Sequence, residues 1–191
     1  MKHVKILGLA AVAAMALMAF AATSASATTL ISGTTTITSI EATLTETAKL
    51  TETNGTVLDT CSQSTVSGKT TEDSAPELKG SGTVTWGGCT VTTDTIKNGE
   101  VGITWISGTE NGTVKSYGAE VTTAILGLSC VYGTPAGGLE LGTLKGSETE
   151  SATIEINKPV EFKSGSIACP QSTVWKAKYK VTNPSPLKVV N

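Results

Sequence analysis

Two pairs of carboxylates, three tryptophans and four cysteines are the residues whose types and spacing could do chemistry in this chain. A glycoside hydrolase needs only two acids held about 5 to 10 Å apart. The pairs close enough in sequence are Glu148 with Glu150, on one strand face or loop, and Glu155 with Glu161, flanking a turn expected at Asn157-Lys158-Pro159. Glutamates set opposite Thr and Lys also keep the outer face of any β-protein hydrated, and that is the reading the pattern favours, so no catalytic residue is assigned. Trp86, Trp105 and Trp175 could stack on sugar rings, but each falls on the aliphatic parity of its segment, where a core is expected.

What is missing narrows the chemistry further. The chain has 14 Lys, no Arg and a single His, His3, which lies in the apolar leader described below. Hydrolysis by Ser-His-Asp or Cys-His needs an imidazole, and bidentate clamping of phosphate needs a guanidinium. Without a basic run or arginine, nucleic-acid binding is disfavoured. Asp occurs only at positions 59, 73 and 94, so no calcium loop is spelled out, and no metal or cofactor site is assigned.

Lys2, His3 and Lys5 precede an unbroken apolar stretch, Ile6 to Ala22, and Ala25-Ser26-Ala27 has the small-residue pattern of a signal-peptidase site. Residues 1–27 therefore read as a cleaved signal peptide, with no membrane span after cleavage, and 28–191 as the secreted domain. That domain keeps 12 lysines against 16 acids and loses its only histidine. Cys61, Cys89, Cys130 and Cys169 all lie in it, an even number in an oxidising compartment, so two disulfides are expected. Three connectivities are open. Cys61 with Cys89 and Cys130 with Cys169 is favoured because each bridge then closes one half of the chain, worth roughly 3 to 4 kcal/mol apiece on the chain-entropy model. A four-thiolate metal site is disfavoured by the lack of any C-x-x-C pair.

The elements that must position these residues read as strands throughout. Thr (34 residues) and Ser (18) alternate with aliphatics, and helical spacing is missing beyond the leader. Ile40, Ala42 and Leu44 alternate with polar residues, as do Val84 and Trp86, Val101 to Trp105, Val121 to Ile125, Leu128 to Tyr132, and Ile154 with Ile156. In the clearest run Trp175, Ala177, Tyr179 and Val181 oppose Lys176, Lys178, Lys180 and Thr182. Asn54-Gly55, Asn98-Gly99 and Asn111-Gly112 are expected hairpin turns, and the sequons they form at Asn54 and Asn111 are read as turn chemistry. Gly87-Gly88, residues 135–138 and residues 183–186 are expected loops. This spacing predicts an all-β, antiparallel β-sandwich, immunoglobulin-like or related and disulfide-stapled. A loose likeness between the halves leaves two smaller sandwiches as the alternative to one domain.

The segments TCSQSTVSGKTT, GSGTVTWGGCTV, LSCVYGT and ACPQSTVWKAKYKVTNPSPLKVV, in that order, resemble the secreted, four-cysteine, Thr/Gly-rich β-proteins of soil actinobacteria. The resemblance implies export and a β-sandwich, and it assigns no activity to any residue. The function expected from the sequence is therefore a secreted, non-catalytic protein, structural or adhesive, touching cell-wall glycan or another surface protein. A small carboxylate-dependent glycoside hydrolase or a carbohydrate-binding module is the alternative.

Overall fold

Alternation of apolar and polar residues gives each strand one face for a core and one for water. The computed structural model describes residues 26–191, so the leader expected at 1–27 lies almost wholly outside the described residues. Fifteen strands account for the described fold. Four long ones run through it: β5 (Val57–Thr70), β6 (Leu78–Cys89), β13 (Thr153–Gly165) and β14 (Ser172–Asn183). β3 (Ser39–Leu44) and β4 (Ala48–Glu52) lie end to end between β14 and β5, each pairing with both.

At one end of the long strands, β8 (Glu100–Trp105), β9 (Gly112–Tyr117) and β12 (Leu139–Lys145) complete a ring. Its antiparallel pairings run β3–β5–β6–β8–β9–β12–β13–β14 and return to β3, so the two layers of the sandwich join edge to edge. At the other end, β7 (Thr93–Lys97), β10 (Glu120–Ile125) and β11 (Leu128–Gly133) continue from the far half of β13, in the order β13–β11–β10–β7, and with β14, β4, β5 and β6 make a second ring in which β7 meets β6. Between β7 and β6 there is no backbone ladder. That seam is held by Thr95, whose hydroxyl donates to Val84 O at 2.8 Å and accepts from Trp86 Nε1 at 3.2 Å.

A separate small sheet covers the first ring. β1 (Thr29–Ser32) pairs with β15 (Lys188–Val190) on one side and with β2 (Thr35–Thr36) on the other. Leu30, Leu187 and Val189 are fully buried there and join the large core of Leu78, Ile103, Leu144, Tyr179 and Val181. The second ring has a much smaller core, Ile125, Cys130, Tyr132 and Cys169. Its free end exposes Leu126, which has φ 51° in the β10–β11 turn, and Ile167.

All-β antiparallel architecture and both favoured bridges, Cys61–Cys89 and Cys130–Cys169, are present. The alternation is too, down to Tyr179 and Val181 fully buried beside exposed Lys180 and Thr182. Several turns differ. Asn54-Gly55 does turn β4 into β5, with Gly55 at φ 94°. Asn98-Gly99 is no hairpin: β7 and β8 belong to different rings, and a Cβ on Gly99 would stand 2.4 Å from Tyr117 O, so this glycine serves close packing. The β8–β9 hairpin turns at Gly108, φ 76°, and Asn111 instead anchors a loop by accepting from Gly146 N at 3.0 Å. Gly87-Gly88 lies inside β6.

The expected turn at Asn157-Lys158-Pro159 is the middle of β13. β13 pairs with β12 up to Ile156 and with β11 from Glu161, so at Pro159 β14 is the only neighbour. A proline is tolerated there because one side of the strand needs no ladder donor.

Candidate functional site

The inward parity of both rings leaves a space. An apolar cavity of about 180 Å³ runs along the interior between the two cores. Ile40, Val66, Val101, Leu141 and Ile156 supply aliphatic wall from five strands, and Trp86 and Trp175 supply aromatic wall where the rings meet. The two indoles touch edge to face, with centroids 5.6 Å apart and planes at 65°. Both are half-buried and pack against the large core, as does Trp105. Trp105 stands apart at the capped end, its Nε1 donating to Thr109 O at 2.7 Å. The tryptophans are therefore not gathered on one exposed face.

The indole donors of the cavity pair are unequal. Trp86 Nε1 reaches Thr95 at 3.2 Å, whereas Trp175 Nε1 is buried and has no partner among the described residues. Nearly every buried polar group in a folded protein is satisfied, so this donor is an exception in the core.

Asp59 is also in the wall, and it is the only charged residue among the buried described ones. Its Oδ1 accepts from Thr90 N at 3.1 Å, Thr90 Oγ1 at 2.8 Å and Val91 N at 3.2 Å, and its Oδ2 accepts from Thr93 Oγ1 at 2.7 Å. Charge-assisted bonds of this kind replace the lost hydration of a buried carboxylate. They fasten the segment that leads from β6 into β7. Sequence reasoning passed over Asp59, although an acid on the same parity as Cys61 was the available signal. Asp59, Cys61 and Cys89 cluster closely enough to suggest metal ligands, but both sulfurs are spent in a disulfide and cannot act as thiolates.

The glutamate pairs do not assemble into a hydrolytic site. Glu155 and Glu161 are six residues apart on one continuous strand, about 20 Å at roughly 3.3 Å per residue. Each is occupied on the outer face: Glu155 with Lys145 at 2.5 Å and Lys178 at 3.7 Å, Glu161 with Lys163 at 2.5 Å. Hydrogen bonding to Lys145 holds the Glu155 carboxyl below the usual range. Glu148 sits on an exposed loop against Lys188, which lowers its pKa in the same way, and Glu150 is exposed. Raised acidity is the opposite of what a general acid requires.

Among the acidic groups, tyrosines rather than carboxylates carry the upward shifts. Burial pushes Tyr179, whose hydroxyl lies 3.1 Å from Ser64 Oγ, up to about 12, and burial with nearby Glu52 does the same for Tyr132. Tyr117, near the surface, is raised to about 12 by burial and by its 2.6 Å hydrogen bond to Glu77.

The outer face of β3, β5 and β6 is hydroxyl-rich. Thr65 faces Thr85 and Ser67 faces Thr83, each pair with oxygens 2.5 Å apart, and Thr43 stands opposite Thr65. Among the described residues no helix is long and apolar enough to cross a membrane. Comparison with protein families, curated proteins and solved structures finds no match to this chain.

Proposed function

We propose that this chain is an exported, non-catalytic binding protein whose site is the apolar space inside the fused rings. Export is supported by the leader pattern and by two disulfides, which persist in oxidising compartments. The observation that carries the binding reading is the cavity itself: about 180 Å³, walled mainly by aliphatic and indole carbon. An apolar space of about 150 Å³ is enough to bind benzene. Close-packed interiors normally leave few voids larger than a water. The unladdered seam between β6 and β7 supplies a wall that can part without breaking a backbone ladder.

Titration of the oxidised protein with toluene, followed by calorimetry and tryptophan fluorescence, tests this directly. Saturable one-to-one binding with a rise in melting temperature is the expected result. A flat titration up to the solubility of toluene ends the reading. For export, the mass of the protein recovered outside the cell should begin at Thr28 and lie four hydrogens below the reduced value.

A second reading rests on the outer hydroxyl face of β3, β5 and β6, which suits contact with cell-wall glycan. Pull-down on insoluble cell-wall polysaccharide, lost in a Thr65→Val/Thr85→Val variant, is its test.

A further inference from the structure

A ligand held inside the fused rings has to cross a wall or an end to get there. Every neighbouring pair of strands in the two rings is joined by a backbone ladder except β6 with β7. Resting on the reading of the cavity as a binding site, we propose that the slit between β6 and β7 is its doorway and that Thr95 is the latch, setting how fast a ligand enters and leaves rather than how tightly it is held. Both edges of the slit line the cavity, with Gly82, Val84 and Trp86 on one side and Thr93, Thr95 and Gly99 on the other.

The two ends are filled. The small sheet covers one with fully buried Leu30, Leu187 and Val189, and buried Ile125 with the Cys130–Cys169 bridge occupies the other. The slit itself is pinned at both extremities. Gly82 N donates to Gly99 O at 3.1 Å at one, and Asp59 accepts from Thr90 N, Val91 N and Thr93 Oγ1 at the other. Between these pins a single hydroxyl spans the gap among the described residues: Thr95 Oγ1 donates to Val84 O and accepts from Trp86 Nε1. Parting there breaks two hydrogen bonds that water replaces in the open form, whereas parting a laddered pair breaks a run of them together. β6 stays laddered to β5 and β7 to β10, so each edge keeps its strand when the slit widens.

Thr95→Val keeps the outline of the side chain and removes the hydroxyl. In the shut form it leaves Val84 O and the Trp86 indole N–H unsatisfied, so the parted form gains population. Toluene binding and release are followed by stopped-flow tryptophan fluorescence in the oxidised full chain and its variants. In Thr95→Val both rate constants should rise about ten-fold while the dissociation constant stays within about two-fold, because a door lowers the barrier equally in both directions. Thr95→Ser, which keeps the hydroxyl, should behave as the native protein does. Ser64→Ala removes a bond of the same kind, Ser64 Oγ to Thr85 O at 2.7 Å, across the laddered β5–β6 pair, and should leave both rates as they are.

Unchanged rates in Thr95→Val, a dissociation rate that rises alone with a matching loss of affinity, or an equal acceleration in Ser64→Ala overturns the doorway while leaving the cavity a binding site. Failure of toluene to bind the native protein removes the cavity reading, and the doorway with it. A measurement free of variants and ligand stands beside these. Relaxation dispersion on the native protein should show microsecond-to-millisecond exchange along residues 83–88 and in β7, and none in β8, β9 and β12. Flat profiles on both edges of the slit overturn the proposal even where Thr95→Val fails to fold.

Discussion

The two rings share four strands and are held together by different means. The first is packed mainly with aliphatic side chains, with Leu78, Leu144, Val181, Leu187 and Val189 fully buried beside Tyr179, and is sealed by the small sheet of β1, β2 and β15. The second has four buried apolar residues, two of them the half-cystines of Cys130–Cys169, with an unladdered seam and exposed Leu126 and Ile167 at its free end, while Cys61–Cys89 packs with the large core. Burying a large aliphatic side chain is worth about 1.5 to 3 kcal/mol. A region short of such residues needs covalent bridges or buried polar networks, and the second ring has both. The difference teaches that the Cys130–Cys169 bridge stands where the local core is poorest.

The comparison can be broken first at the disulfides. They close loops of 28 and 39 residues, so reducing both should cost on the order of 7 kcal/mol in total by the chain-entropy relation. In a denaturation series the reduced protein should lose amide protection first in β7, β10 and β11, while β8, β9 and β12 hold. Simultaneous loss in both sets would mean that the rings form one cooperative unit. Next in size is Leu144→Ala, in the aliphatic ring, with an expected cost of about 3 kcal/mol by urea denaturation. The same measurement on Asp59→Ala should give about 2 to 3 kcal/mol, through loss of charge-assisted hydrogen bonds, with the exchange increase confined to β7 and the residues before it.

The smallest effect should come from the tyrosines. Tyr179 in the first ring and Tyr132 in the second ionise near 10 when unfolded and at about 12 when folded. Their contribution is complete below pH 10 and is lost as pH rises through 12, because only the unfolded chain releases those protons in between. Tyr179→Phe should cost about 1 kcal/mol at neutral pH and flatten the alkaline decline, and Tyr132→Phe should flatten it independently. If neither alters the slope between pH 10 and 12, the tyrosines are not the groups that titrate.

Strand content was legible because alternation is local: Trp175 to Val181 announces its buried face within seven residues. The bridges were legible because order along the chain happened to match order in space. Rings and cavity were not, since both depend on which distant strands meet. Asn98-Gly99 has the dipeptide of a hairpin but joins strands of different rings, and Pro159 has the look of a turn but occupies the branch point of a continuous strand. The orphan nitrogen of Trp175 could not be foreseen either, because sequence parity places a side chain indoors without saying whether its donor finds a partner there.

Ring closure also sets the order in which the chain can become stable. β3 meets β5 after a short interval, but it meets β14 only across some 140 residues, with Leu44 opposite Tyr179 and Ala42 opposite Val181. Contacts of such long range are made late and slow the search for the native state. While a ribosome is still adding residues 172–183, β3, β4 and β13 each lack the neighbour that β14 supplies, and the ring has a gap one strand wide. The first ring therefore cannot close until almost the whole length of the chain exists, and the strand that closes it is the last long one to be made.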